Sequence, residues 1–179
     1  IVGVPKHEDE LIVPAVEGTR RVIEAAIKEG VKKVVLTSSC AAITETHTGQ
    51  TNFSEDDWTD AAHAQTPAYY KSKTLAEQKA WELISAQSAT KLAVINPAGV
   101  IGPTLSDDIG TANEFVLQII DGKVPGCPKL HIGFVDVRDV AAAHILAMQN
   151  PQADGERFII SEREFWFKEF SGLLKDAGY

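Results

Sequence analysis

A tyrosine and a lysine in one short segment give the first indication of chemistry in this chain. Tyr69 and Lys73 lie four residues apart in AYYKSKTLAEQ (68–78), and on an α-helix that spacing places both side chains on one face. An ammonium group held close to a phenol favours the phenolate, so such a pair can exchange protons. Tyr70 would point about 100° away around the helix and is interpreted as a packing residue, and Lys71 as a solvated one.

Residues that could complete a site follow two predicted strands. Thr37, Ser38 and Ser39 come directly after the apolar run at 34–36, and the Pro/Gly segment NPAGVIGP (96–103) follows a second apolar run. Ligands of open parallel sheets bind beyond the carboxyl ends of the strands. Because the helix with the Tyr/Lys pair lies between these strands in sequence, we expect it to pack against both. The hydroxyls, the pair and the loop are therefore predicted to form one site.

Strands and helices alternate along the chain, with connections that are too long for β-hairpins. This order is typical of a parallel sheet with helices on both faces. The predicted strands are 31–39, 90–97 and 155–161, and the predicted helices are 8–30, with Gly30 as its end, 67–88, 113–122, most of 134–150 and 164–178. We therefore predict an α/β fold with a doubly wound parallel sheet.

The bulk composition excludes several classes of partner. A net charge of −8 and a pI near 5.1 argue against nucleic acid and anionic membranes, and the sequence has no run of 18 apolar residues. Cys40 and Cys127 form no Cys-x-x-Cys pair, which suits a reducing cytosol. The start of the chain lacks the pattern of a signal peptide, so a cytoplasmic location is expected. The five histidines show no metal-ligand spacing, and no metal site is predicted.

The order of these motifs resembles the extended short-chain dehydrogenase/reductase superfamily. The segments that carry the resemblance are TSS, YYKSK, NPAGVIGP and FVDVRDVAAAHILAM. Two more, PAVEGTRRVIEAA and SKTLAEQKAWE, are similar to the group that contains dihydroflavonol reductases, cinnamoyl-CoA reductases and microbial NADPH-dependent aldehyde or ketone reductases. The resemblance implies a Rossmann-like fold and an enzyme that reduces a small-molecule carbonyl compound to an alcohol. Its cofactor would be NADP(H), with NAD(H) as the alternative.

The resemblance also implies a role for each matching residue. Tyr69 would donate a proton to the carbonyl oxygen, and Lys73 would support the phenolate and hydrogen-bond the nicotinamide ribose. Ser39 would hold the same oxygen, with Ser38 as the second choice. Besides Tyr69 and Lys73, the residues expected at the cofactor are Thr37, Ser38, Pro97, Ala98, Gly99 and Val100.

One hallmark of the superfamily is not found in these 179 residues. Its members begin with a strand, a Gly-x-x-Gly-x-x-Gly turn and a helix that binds the pyrophosphate, and none of the 13 glycines supplies that turn. By the resemblance, the chain would start after the fourth strand, which gives an incomplete Rossmann-like sheet with 31–36 at an exposed edge. The predicted divisions are the second half of the dinucleotide-binding domain (1–103), a substrate-binding region (104–135), a return to the first domain (136–161) and the start of a C-terminal substrate region (162–179).

Two other functions stay open at the level of sequence. A nucleotide-sugar epimerase or dehydratase shares the fold and the Ser/Tyr/Lys set, but such dehydratases carry an Asp-Glu pair where Cys40 and two alanines follow Ser39. The segment 104–135 also lacks the arginines that hold a diphosphate. The second alternative is an inert fragment or binding module. Modules of that kind typically lose the tyrosine, whereas Tyr69 and Lys73 are both present.

Within the reductase group, the sequence favours a general aldehyde or ketone reductase. The Asn-Trp-Tyr-Cys-Tyr run of cinnamoyl-CoA reductases is not found around Tyr69, and Thr44 lies near the position where dihydroflavonol reductases carry an asparagine or aspartate. The predicted substrate wall is apolar, which suits a small apolar carbonyl compound. Its apolar side chains are Phe115, Val116, Ile119, Ile120, Val124 and Ile132.

Overall fold

The computed structural model describes residues 5–179. Residues 1–4 lie outside the described residues. They are the start of the first predicted domain segment (1–103) and of the N-terminal segment that lacks a signal-peptide pattern. The helices are α1 (Asp9–Lys28), α2 (Ala68–Ser85), α3 (Thr111–Ile120), α4 (Val137–Gln149) and α5 (Phe167–Asp176). The strands are β1 (Lys33–Thr37), β2 (Lys91–Pro97), β3 (Gly99–Ile101), β4 (His131–Asp136), β5 (Arg157–Ile160) and β6 (Arg163–Trp166). Across the described range, no helix is long and apolar enough to cross a bilayer.

The main sheet is parallel and has the order β1-β2-β5. Its central strand β2 is buried from Leu92 onward, and its side chains alternate between two apolar layers. Leu92 and Val94 pack with residues of α1 and α2, whereas Ala93 and Ile95 pack with residues of α4 and the turn after it. The predicted α/β fold, with a parallel sheet between two layers of helices, is confirmed. As predicted, β1 lies at an edge of this sheet.

The second sheet corrects two sequence predictions. Residues 99–101, predicted as part of a Pro/Gly loop, form β3 and pair in parallel with β4. The last helix, predicted over 164–178, begins only at Phe167 because residues 163–166 pair antiparallel with β4 as β6. The rings of Phe134, Phe165 and Phe170 pack together with centroids 4.8 to 6.4 Å apart. The three phenylalanines come from β4, β6 and α5, so a helical pattern within residues 164–178 does not reveal this cluster. Its packing favours the strand at 163–166.

The ends of two helices follow from local chemistry. The helix α1 ends at Lys28, with Glu29 as its C-cap, and the predicted end residue Gly30 follows with a φ of +68°, a left-handed conformation that costs glycine little. At the start of α4, the Asp136 carboxylate accepts a hydrogen bond of 2.8 Å from the Arg138 backbone N–H. This side chain caps the helix and fixes the point where the chain turns from β4 into α4.

The contact between α1 and α2 corrects the interpretation of Lys71. Its ammonium group lies 2.7 Å from the Glu8 carboxylate, and only 12% of its side chain is exposed. Lys71 is therefore not a solvated residue. It links the start of α1 to the start of α2, close to the predicted site.

The close approach of β3 to β4 gives a test of the fold. A Cβ added at Gly99 would lie 3.0 Å from the Gly133 carbonyl oxygen and 3.2 Å from Phe134 Cδ1. We expect Gly99→Ala to lower the free energy of unfolding by about 1 to 3 kcal/mol, measured by urea denaturation. The control is Gly18→Ala in α1, where the new methyl meets no atom within 4 Å. This change should raise the free energy of unfolding by about 0.5 to 1 kcal/mol, and equal effects would contradict the packing described.

Candidate active site

A cleft of about 1010 Å³ lies at the carboxyl ends of β1 and β2. It is walled on the other side by the segment 104–112, α3 and β4. All the residues predicted for the site except Lys73 line it, namely Thr37, Ser38, Ser39, Tyr69, Pro97, Ala98, Gly99 and Val100. The structure thus brings together residues that are up to about 60 positions apart in the sequence.

A second cleft, of about 660 Å³, adjoins the first. The two share Ser39, Tyr69 and Tyr70, and the second extends between the segment 51–53 and the ends of β4 and β5. Tyr70 is therefore more than the packing residue that the sequence indicated. Burial raises the pKa of the Tyr70 phenol, and the carboxylate of Glu45 acts in the same direction, so Tyr70 stays a neutral hydrogen-bonding group at the junction of the clefts.

The Tyr/Lys pair has the geometry that its spacing predicted. Pro67 is extended, and α2 begins at Ala68, which places Tyr69 in the first turn of the helix. The Lys73 amine lies 5.8 Å from the centroid of the Tyr69 ring. Tyr69 lines both clefts, whereas Lys73 lies one turn further along the same face and lines neither.

The two serines after β1 differ in what their hydroxyl groups contact. Ser39 Oγ accepts a hydrogen bond of 3.1 Å from the Ala41 N–H and caps a short 3₁₀ helix. Within residues 5–179 no acceptor is found for its own proton, which leaves that proton available to a ligand in the cleft. Ser38 is buried, and its hydroxyl donates to the Glu77 carboxylate at 2.5 Å. The geometry therefore favours Ser39 over Ser38 as the group that meets a ligand.

Glu77 is a buried carboxylate that the sequence analysis did not single out. It is 1% exposed, and four groups donate to it: Ser38 Oγ at 2.5 Å, Asn96 Nδ2 at 2.8 Å, Trp81 Nε1 at 3.3 Å and Arg157 Nε at 2.6 Å. These donors come from the ends of β1 and β2, from α2 itself and from β5. A charge on the sheet-facing side of α2, four residues after Lys73, was the sequence signal that could have revealed it.

Arg157 extends this network to the segment that follows residues 51–53. Its side chain is 8% exposed. Arg157 Nη1 donates to the carbonyl oxygens of Glu55 and Asp57 at 2.7 Å each, and its guanidinium lies 3.7 Å from the centroid of the Trp58 ring. The planar fork of an arginine makes several such contacts at once. A single side chain thus connects α2 with the segment that follows residues 51–53.

Thr37 contacts a histidine to which the sequence gave no role. His144 Nδ1 lies 2.8 Å from the Val140 carbonyl oxygen, and His144 Nε2 lies 2.6 Å from Thr37 Oγ1. Because a carbonyl oxygen only accepts, the ring proton is assigned to Nδ1, and Nε2 accepts from the Thr37 hydroxyl. The hydroxyl of Thr37 is therefore held toward α4 at the edge of the cleft.

The sequence matches a known protein family over nearly its whole length. The profile of the 3-beta hydroxysteroid dehydrogenase/isomerase family matches residues 2–172. The chain belongs to that family. Its membership confirms the resemblance to extended short-chain dehydrogenases/reductases that the motif order predicted.

Several proteins similar to this chain are named as reductases. It is 38% identical over 179 residues to the cinnamoyl-CoA reductase CAD2 of Medicago truncatula, covering 97% of this chain and 54% of that protein. It is 31% identical over 196 residues to the NADPH-dependent methylglyoxal reductase GRE2 of Saccharomyces cerevisiae, covering 97% and 56%. The crystal structure of the yeast methylglyoxal/isovaleraldehyde reductase Gre2 complexed with NADPH superimposes with a TM-score of 0.87 at 30% identity, covering 97% of this chain and 57% of that one.

The chain spans about half the length of these relatives. That share is consistent with the incomplete Rossmann-like fold that the resemblance implied.

Cys40 lies beside Ser39 at the second cleft, and its reactivity is a test of this environment. Its thiol donates to the Asn96 carbonyl oxygen at 3.2 Å, and burial raises its pKa to about 11. Since the thiolate is the nucleophile, we expect iodoacetamide at pH 8 to modify the exposed Cys127 well before Cys40. The rate at Cys40 should rise up to about pH 11, as followed by peptide mass spectrometry. Rapid modification of Cys40 at pH 7 would contradict this environment.

Proposed function

We propose that the protein carrying this chain reduces an aldehyde or ketone to an alcohol with NADPH. The observation that carries the proposal is the meeting of three groups in one cleft: the Ser39 hydroxyl, the Tyr69 phenol with Lys73 beside it, and the segment Pro97–Val100. Two hydroxyl donors from different elements that line one cleft are suited to hold a single carbonyl oxygen. The GRE2 relative is named as an NADPH-dependent reductase, which supports the choice of cofactor.

The cleft fits the nicotinamide end of such a cofactor. Its volume of about 1010 Å³ exceeds what a small carbonyl compound needs, and Val100, Ile132 and Phe134 give it an apolar wall suited to a flat ring. The hydroxyls of Ser39 and Tyr69 supply polar groups in the same cleft. No turn in these 179 residues has the glycine pattern for a pyrophosphate, so we assign to this chain only the nicotinamide end.

The roles of the residues follow from their positions. NADPH, when bound, supplies the hydride that reaches the carbonyl carbon. Tyr69 donates its proton to the carbonyl oxygen, and Ser39 donates a hydrogen bond to the same oxygen as negative charge develops there. Lys73 stabilises the phenolate that Tyr69 becomes after donating its proton. The alcohol product thus receives one hydrogen from the cofactor and one proton from Tyr69.

The lining of the cleft favours a small apolar substrate. The segment 104–135, proposed as part of a substrate-binding region, contributes Leu105, Ile109, Phe115 and Ile132. Within the described residues, no arginine lines either cleft. A nucleotide sugar would leave its diphosphate without the charged forks that usually hold it, so a nucleotide-sugar epimerase or dehydratase is the weaker proposal.

Substitution of Tyr69 tests the proposal. In the full-length protein, Tyr69→Phe removes the proton donor and keeps the ring, so we expect kcat/KM for NADPH-dependent methylglyoxal reduction to fall by about 10²- to 10⁴-fold. Affinity for NADPH, measured by fluorescence titration, should stay nearly unchanged. Tyr179→Phe, the same chemical change at an exposed tyrosine, should retain activity. Turnover at the wild-type rate in Tyr69→Phe would refute the assignment, and would revive the proposal of an inert binding module.

A further inference from the structure

We infer that Glu77 is a positioning residue that holds Ser39 and Tyr69 in register around one carbonyl oxygen. The inference rests on the proposed function, since it concerns the two hydroxyl groups that we assign to that oxygen. Ser39 follows β1 and Tyr69 begins α2, so their separation depends on how the helix sits against the sheet. Glu77 is the polar contact between these elements that is buried most completely.

On the helix side, Glu77 is fixed to the catalytic face. Tyr69, Lys73 and Glu77 are spaced by four residues each, which places them on one face of α2 over two turns. A rotation or a shift of α2 that moved the Tyr69 phenol would therefore move the Glu77 carboxylate as well. The carboxylate is held from outside the helix, so it resists both motions.

On the strand side, one carboxylate oxygen of Glu77 accepts hydrogen bonds from residues at the ends of both β1 and β2. Glu77 Oε2 accepts from Ser38 Oγ at 2.5 Å and from Asn96 Nδ2 at 2.8 Å. The same Asn96 nitrogen also donates to the Ser39 carbonyl oxygen at 3.2 Å. Two short paths, one through Ser38 and one through Asn96, thus connect the backbone of Ser39 to the helix that carries Tyr69.

The other oxygen of Glu77 is neutralised by Arg157, whose Nε lies 2.6 Å from Oε1. The pair is almost fully buried, with 0% and 8% of the two side chains exposed. A buried carboxylate that accepts from an arginine on one oxygen and from two groups at the strand ends on the other is held in place from outside the helix. Arg157 Nη1 also holds the backbone at Glu55 and Asp57, in the segment that follows residues 51–53.

The geometry matters because proton donation is sensitive to distance. A misplacement of about 1 Å between reacting groups can cost about 10²-fold in rate. A looser Glu77 contact would let Tyr69 and Ser39 drift apart, while Pro97–Val100, which follow β2 and line the cleft, would stay in place for the nicotinamide. The loss should therefore appear in the step that transfers the proton, not in the binding of NADPH.

The test is Glu77→Gln in the full-length protein, assayed with NADPH and methylglyoxal. The amide keeps the shape of the side chain, but presents a donor to groups that are themselves donors. We expect kcat to fall about 10- to 100-fold, the Kd of NADPH to change less than about 3-fold, and the solvent deuterium isotope effect on kcat to rise because proton donation becomes slower. The matched control is Trp81→Phe. It removes a donor to the same carboxylate, but this donor belongs to α2 itself and does not connect the helix to the strands. It should keep the wild-type kcat and isotope effect.

If Glu77→Gln does not fold, Asn96→Ala provides a second test of the positioning role. Asn96→Ala keeps the ion pair with Arg157 and removes the link from Glu77 to the Ser39 carbonyl, and it should also lower kcat and raise the isotope effect. A less stable protein with a wild-type kcat and isotope effect, in whichever variant folds, would overturn the inference. Tyr69→Phe, assayed in parallel, separates the two claims: if it remains active, the proposed function fails, and if it is inactive while Glu77→Gln matches the wild type, only the positioning role fails.

Discussion

The buried ion pair between Glu77 and Arg157 is the constraint on which the rest of the site depends. Removing one partner of such a pair costs about 3 to 5 kcal/mol, because an uncompensated charge stays in the protein interior. Apolar contacts around Leu92 and Val94 hold the same elements together, but such contacts are non-directional. The hydrogen bonds to the Glu77 carboxylate are directional, so they fix the position of α2 relative to the ends of β1 and β2.

The strand β2 connects the core of the protein to its chemistry. Leu92 to Ile95 alternate between the two helical layers, so the strand holds a single register. The next residue, Asn96, is also buried, but its side chain makes hydrogen bonds instead of apolar contacts. The residues after it, Pro97–Val100, line the cleft. The core strand and part of the cleft lining therefore lie along one continuous stretch of chain.

The sequence predicted what depends on local pattern. The apolar runs predicted β1, β2 and β5, and the four-residue spacing predicted that Tyr69 and Lys73 share a face of α2. The pairing of Glu77 with Arg157 was not predictable, because the two residues lie 80 positions apart. The same reason explains the errors at Lys71, whose partner Glu8 is 63 positions away, and at residues 163–166, where pairing with β4 prevails over helical periodicity.

A crystal structure of the full-length protein with the oxidised cofactor and the alcohol product would test the central claim most directly. The account predicts that the product oxygen lies about 2.6 to 3.2 Å from both Tyr69 Oη and Ser39 Oγ, the range for hydrogen bonds that transfer a proton. The nicotinamide ring would lie against Pro97–Val100. A product oxygen bound by other groups, with the Tyr69 hydroxyl directed to solvent, would contradict the account.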